Sequence, residues 1–153
     1  MTPHVLVLSS DRSKGETWVA ALKPGGFKSK LVQAWPEAKS LLTPGASHVI
    51  LYDSDFSIAS PAEVLAVAGS ARLPVIVMSR DFDASEWLAL FKNGAFDVLR
   101  LSAAPRQLLE SVDSAMKSCG PGAFKETLSW TQAALKQAAL KWAKSRISQL
   151  GDT

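Results

Sequence analysis

The chain has 153 residues, of which 47% are hydrophobic and 20% are charged, and its formal net charge at pH 7 is +3. This composition is typical of a globular protein with a real core and argues against disorder, and the length predicts one domain with a short appendage. No apolar run approaches the roughly 20 residues of a membrane helix. Because the amino-terminal residues also lack a targeting pattern, we expect a cytoplasmic protein with no membrane contact. The single cysteine, Cys119, excludes an internal disulfide.

The net charge is unevenly distributed along the chain. Residues 1–123 contain 12 basic and 12 acidic side chains, whereas residues 124–153 contain five basic and two acidic ones. The whole excess of positive charge therefore lies in the last thirty residues. This distribution indicates a neutral body followed by a basic appendage.

Short apolar runs alternate with helix-like segments through the body. In chain order, the pattern predicts a strand at 4–8, a helix at 13–22, a strand at 29–34, a helix at 36–42, a strand at 48–52, a helix at 60–71, a strand at 73–79, a helix at 83–94, a strand at 96–101 and a helix at 104–119. Ser60 and Asp83 are the expected N-caps of the third and fourth helices.

The predicted strands favour a parallel sheet. The first, third and fourth are continuous apolar runs without polar alternation, which is typical of strands covered on both faces. We therefore predict an α/β fold with a doubly wound parallel sheet. The working site of such a sheet lies at the carboxyl ends of its strands. Those ends are expected to bring together Ser9, Ser10, Asp11, Asp53, Ser79 and Leu101. His4 and His48 begin the first and third strands, at the opposite edge.

A final segment, 125–150, is rich in Ala, Leu, Lys and Gln and predicts a C-terminal amphipathic helix after a linker at 120–124. The predicted organisation is thus a domain at 1–119, the linker, and this helix. Its apolar arc covers nearly half the circumference and includes Trp142 and Leu150. The pattern leaves open whether the helix packs on its own domain or on a neighbour.

Four segments resemble, in order, the receiver domain of bacterial response regulators, the CheY-like family. They are "ALKPGGF", "HVILYDSD", "LPVIVMSR" and "NGAFDVLRLSAAPRQL". The resemblance spans about residues 4 to 118. It implies a flavodoxin-like sheet with strand order 2-1-3-4-5, here with an extra C-terminal helix. It also places Asp53 at the phosphorylated position and Ser79 at the family's Thr/Ser position.

The departures from the family pattern fall on the residues that support phosphorylation. The family holds a divalent cation with two acids after the first strand, where this chain has Ser9 and Ser10 and only the next residue, Asp11, is acidic. Mg²⁺ prefers carboxylate oxygens, so this change removes two of its expected ligands. Leu101 replaces the family's lysine, and Val98 replaces its aromatic residue on the fifth strand.

Two interpretations of Asp53 follow. In the first, Asp53 is phosphorylated, and Asp11 and Asp55 help to bring Mg²⁺. In the second, Asp53 is a structural carboxylate that accepts hydrogen bonds from loop amides and from Ser9, Ser10 or Ser79. The loss of the acids and the lysine favours the second interpretation, because each loss removes charge stabilisation from a transition state. Arg80 and Arg100 are expected near enough to pair with Asp53.

The resemblance therefore implies a pseudo-receiver, which acts without phosphorylation as a protein–protein interaction module in bacterial signalling and is not an enzyme. The alternative is a divergent phosphoacceptor of a phosphorelay. No metal is expected except Mg²⁺ under this alternative. The partner would be another signalling protein or a second copy bound through the C-terminal helix. Nucleic acid is not expected, because the tail cations do not share one narrow face. The candidate partner-binding residues are Trp87, Trp130, Trp142 and Leu150.

Overall fold

The computed structural model describes residues 4–43, 48–55, 57–80 and 82–117. The strands are β1 (His4–Leu8), β2 (Lys28–Val32), β3 (His48–Asp53), β4 (Val75–Ser79) and β5 (Asp97–Arg100). The helices are α1 (Arg12–Leu22), α2 (Trp35–Leu41), α3 (Pro61–Ala71), α4 (Ala84–Lys92) and α5 (Pro105–Lys117), with a 3-10 turn at Lys23–Gly25.

The predictions for the C-terminal part of the chain lie outside the described residues. They are the domain boundary at 119, the linker at 120–124, the helix at 125–150, and the roles of Trp130, Trp142 and Leu150. These statements stay predictions. In the part of the chain that the structure describes, no helix combines the length and the apolar character needed to cross a bilayer.

The five strands form one parallel sheet in the order β2-β1-β3-β4-β5. This confirms the predicted α/β class and strand order. In the register of β1 and β3, Leu8 lies opposite Tyr52. The residues that follow this pair, Ser9 and Asp53, therefore reach the same edge of the sheet. The register alone thus brings a hydroxyl to the candidate carboxylate.

Helices cover both faces of the sheet and give it two apolar layers. Because side chains alternate along a strand, β1 sends Val5 and Val7 to one layer and Leu6 and Leu8 to the other. The first layer contains buried residues of α1 and α5, and the second contains buried residues of α2, α3 and α4. The central strands are thus enclosed on both faces, as their continuous apolar runs predicted.

Side-chain caps fix where three of the helices begin. Ser60 accepts a hydrogen bond from the backbone N–H of Glu63, and Asp83 accepts one from that of Glu86, which confirms both predicted N-caps. Asp11 caps α1 in the same way, so that helix begins at Arg12, one residue earlier than predicted. The bounds of the other elements differ from prediction by one or two residues at most ends, as is usual for element termini.

Trp87, which the sequence analysis names as a candidate partner-binding residue, is buried in the core. Its side chain is 7% exposed and meets Phe91 edge-on, with 4.9 Å between the ring centroids. Residues four apart share one face of a helix, and in α4 that face is turned toward the sheet. The next residue, Leu88, is 37% exposed.

His4 and His48 are register partners at the amino-terminal edge of β1 and β3, with 6.1 Å between their ring centroids. Burial, and then the neighbouring His4, lower the pKa of His48 below its usual value. The folded state therefore binds a proton at His48 less readily than the unfolded chain, whose histidines titrate near pH 6.5. The free energy of unfolding should consequently fall as the pH drops below about 6.5 toward the folded pKa.

We expect His48→Gln to reduce this pH dependence, because glutamine does not titrate. The measurement is urea unfolding at pH 7.5 and at pH 5.5 (pH values chosen to lie about one unit either side of 6.5) for the wild type and the variant. The variant should lose less stability between the two pH values than the wild type does. Equal losses in both proteins would contradict the assignment to His48.

Candidate functional site

The side chain of Asp53 is the buried centre of the carboxyl edge of the sheet. It ends β3 and is 0% exposed. Ser9 donates a hydrogen bond from Oγ to Asp53 Oδ2 at 2.8 Å, and the backbone N–H of Asp55 donates one to Oδ1 at 3.0 Å. Lys14 Nζ lies 3.3 Å from the same Oδ1 atom. Both carboxylate oxygens of Asp53 therefore accept hydrogen bonds from the protein itself.

The three serines of the predicted site take different positions. Ser9 is fully buried, and its Oγ also accepts a hydrogen bond from the backbone N–H of Asp11 at 3.1 Å. Ser10 is exposed, and its carbonyl accepts a hydrogen bond from Gln33 at 3.5 Å. Ser79 is buried at the end of β4. Of the donors expected in the structural interpretation, Ser9 and a loop amide are present on Asp53.

Lys14 is the residue of this site that the sequence analysis missed. Its ammonium lies 3.3 Å from Asp53 Oδ1, 3.9 Å from Asp55 Oδ2 and 5.6 Å from the centre of the Trp18 ring. The side chain is only 19% exposed. Lys14 is the third residue of α1, and the first turn of that helix has no acidic residue. Because the helix dipole disfavours cations there, a lysine in this turn was a signal that pointed to a nearby carboxylate.

The two arginines expected near Asp53 contact an acid and an aromatic ring of neighbouring segments. Arg80 Nε lies 3.1 Å from Asp55 Oδ2. The Arg100 guanidinium lies 4.8 Å from the centre of the Phe82 ring. A lysine of α1, Lys14, contacts Asp53. Arg80 contacts Asp55 from the solvent side, where its side chain is 75% exposed.

Asp11 is the only acid directly after β1, and it is engaged at the start of α1. Its Oδ1 accepts a hydrogen bond from the backbone N–H of Lys14 at 3.2 Å. An N-cap carboxylate satisfies a donor that the helix leaves without a partner and offsets the positive end of its dipole. The same cap places the third residue of the helix, Lys14, beside Asp53. Asp11 therefore both begins α1 and helps to position Lys14 in the site.

Apolar side chains stand at the two remaining positions of the family pattern. The backbone N–H of Leu101 donates to the carbonyl of Ser79 at 3.0 Å, and the Leu101 side chain packs on the α1/α5 core layer. Val98 is buried in the other layer, together with Trp87. Neither residue brings a charge or a hydroxyl to the site. Leu101 cannot serve as a counter-charge to a phosphoryl group on Asp53.

The residues around Asp53 do not fit the divalent cation that the fold family implies. Asp53 and Asp55 carry two negative charges, and the Lys14 and Arg80 groups that contact them carry two positive charges. The formal charges of these four groups therefore sum to zero. The lysine ammonium already lies against the carboxylates that a metal ion would need as ligands. Among the described residues, no three His, Cys, Asp or Glu side chains are grouped so as to share a metal ion. Mg²⁺, which depends on carboxylate ligands, would meet a fixed positive charge here.

No protein-family model matches the sequence, and no curated protein matches it. The fold, in contrast, is similar to many solved structures. One is the signal receiver domain of a protein described as a Luxo repressor from Vibrio parahaemolyticus, with a TM-score of 0.70 and 20% sequence identity over 84% of this chain and 97% of that one.

Two further structures have the same likeness. A CheY-like response regulator receiver domain protein from Methanospirillum hungatei JF-1 matches with a TM-score of 0.68 and 16% identity, over 82% of this chain and 99% of that chain. A response regulator from Thermotoga maritima matches with a TM-score of 0.67 and 23% identity, over 77% of this chain and 100% of that chain. The chain therefore has the fold of response-regulator receiver domains.

Proposed function

We propose that this protein is a pseudo-receiver, a receiver-like module that works in bacterial signalling by binding another protein and not by accepting a phosphoryl group. The observation that carries the proposal is the state of Asp53. Its carboxylate is fully buried and accepts hydrogen bonds on both oxygens from Ser9, Lys14 and the Asp55 amide.

Phosphoryl transfer makes two demands that this arrangement opposes. A carboxylate oxygen must approach the phosphorus atom in line with the leaving group, and positive charge must be positioned for the three equatorial oxygens. At Asp53, both oxygens are already engaged by hydrogen bonds inside the protein, and the side chain is fully buried. Lys14, a cation in contact with this carboxylate, is shared between two acids. The positive charge near Asp53 is therefore already paired with carboxylates, and little of it is available to stabilise the transition state of phosphoryl transfer.

The same features support a constant conformation in place of a switch. In a switch, a ligand or modification shifts the population between two states by interacting differently with each. Here Val98 is a buried apolar side chain that cannot form a hydrogen bond. Asp53 already forms an ion pair with Lys14. The protein would then present one binding surface at all times. Its partner would be another signalling protein or a second copy of the chain, in the cytoplasm.

The test is incubation of the full-length protein with acetyl phosphate and Mg²⁺, read by intact mass. We expect no phosphoryl group on Asp53. A receiver domain with its acid pair, treated in parallel, should gain one and shows that the reagent is active. A gain of one phosphoryl group that Asp53→Asn abolishes would overturn the proposal in favour of the phosphoacceptor alternative. A gain that persists in Asp53→Asn would place the phosphoryl group on another residue and would also contradict the proposal, because the protein would then accept one at a different position.

A further inference from the structure

We propose that the Lys14 ammonium is a tethered replacement for the divalent cation of this fold, which neutralises Asp53 from within the chain and excludes metal ions from the carboxyl edge of the sheet. This inference rests on the proposed function and adds a cause to it. Loss of the acid pair explains why a metal would bind weakly. Lys14 would explain why the buried carboxylate is stable without one.

Lys14 is more buried than a typical surface lysine, and its ammonium group is fixed by two carboxylates. Its side chain is 19% exposed, whereas Lys30, which pairs with Glu37 on the surface, is 55% exposed. The Lys14 ammonium contacts one oxygen each of Asp53 and Asp55, and it lies 5.6 Å from the centre of the Trp18 ring. A cation bridging two carboxylates at the end of β3 is the arrangement that a metal ion would otherwise create.

Electrostatics separates the effect of Lys14 from the effect of the missing acids. A divalent ion bound to Asp53 Oδ1 would lie within a few ångströms of the ammonium, which is 3.3 Å from that atom. Repulsion between charges at such a distance is large wherever water is partly excluded. Restoring an acid after β1 should therefore not suffice to bind Mg²⁺ as long as Lys14 keeps its place.

The experiment compares two variants of the full-length protein, Ser10→Asp and Ser10→Asp/Lys14→Met. Ser10 is exposed, so it tolerates a carboxylate, and methionine keeps most of the length of lysine without its charge. Mg²⁺ affinity is measured by isothermal titration calorimetry. Mn²⁺ is then used to locate the ion, because its unpaired electrons broaden the NMR signals of nearby amides.

We expect the double variant to bind Mg²⁺ at least about tenfold more tightly than Ser10→Asp alone, since a full charge has been removed from the site. Mn²⁺ should broaden the amide signals of Asp53 and Asp55 in the double variant and leave them sharp in the wild type. Ser10→Asp/Lys30→Met is the matched control, because it removes an equal charge from an exposed pair. Its Mg²⁺ affinity should equal that of Ser10→Asp.

Equal Mg²⁺ affinities in Ser10→Asp and the double variant, whether tight or weak, would overturn the inference. If Lys14→Met prevents folding, Lys14→Gln in the same background replaces it, since glutamine removes the charge and can still donate to Asp53. The outcome is independent of the phosphorylation test. A phosphoryl group on wild-type Asp53 would contradict the proposed function. The Mg²⁺ affinities, in contrast, test only whether the charge of Lys14 opposes metal binding.

Discussion

Lys14→Met is expected to lower the free energy of unfolding by about 2–4 kcal/mol, because it removes one partner of a largely buried ion pair. Removing one partner of a buried ion pair commonly costs about 3–5 kcal/mol, because the remaining charge is left uncompensated. The remaining charge here is Asp53, which is 0% exposed. We place the expected value somewhat lower because Lys14 is itself 19% exposed and so is partly hydrated in the folded state.

Urea unfolding at neutral pH measures this loss, with Lys30→Met as the control. Lys30 and Glu37 also form an ion pair, at 3.5 Å, but their side chains are 55% and 52% exposed. Such surface pairs contribute about 0–1 kcal/mol. If Lys14→Met costs no more than Lys30→Met, the Lys14–Asp53 contact is not the buried charge pair described above.

Trp87→Ala is expected to lower the free energy of unfolding by about 3–5 kcal/mol, the range for truncating a large buried aromatic residue. Trp87 packs edge-on against Phe91 and belongs to the apolar layer that holds Val98. Truncation removes this packing and leaves a cavity that the rigid sheet on the other side cannot fill. Thermal and urea unfolding of the full-length variant measure the effect.

Leu88→Ala is the matched control for Trp87, because it truncates the adjacent residue on the exposed face of α4. Leu88 is 37% exposed, so its loss should change stability by no more than about 0.5 kcal/mol. A small loss of stability in both variants would contradict the burial of Trp87. It would instead indicate an exposed side chain that is available to bind a partner.

The fold was predictable because its determinants are local or periodic. The buried runs of β1, β3 and β4 and the caps at Ser60 and Asp83 are each visible in a few residues of sequence. The strand order came from the resemblance of four short segments to receiver domains. The position of Ser9 beside Asp53 follows from the register of two neighbouring parallel strands.

The partner of Asp53 was not predictable in the same way, because it depends on how a long, flexible side chain turns in three dimensions. Arg80 and Arg100 were expected near Asp53 because they lie at or near the carboxyl ends of predicted strands, whereas Lys14 lies in the first turn of α1. The acid-free first turn of α1 was the available signal. The burial of Trp87 was also not predicted, because it depends on which face of α4 lies against the sheet; the edge-on contact with Phe91, four residues later, marks that face.

A double-mutant cycle between Lys14 and Asp53 tests most directly the central claim that this carboxylate is held by a cation of the chain itself. The variants are Lys14→Met, Asp53→Asn and the pair together, and the measurement is the free energy of unfolding of each. We predict a coupling energy of about 1–3 kcal/mol, as contacting groups in one network show, so that Lys14→Met costs far less when Asp53 is already asparagine. Additive effects within about 0.5 kcal/mol would show that the two side chains do not interact and would contradict the account.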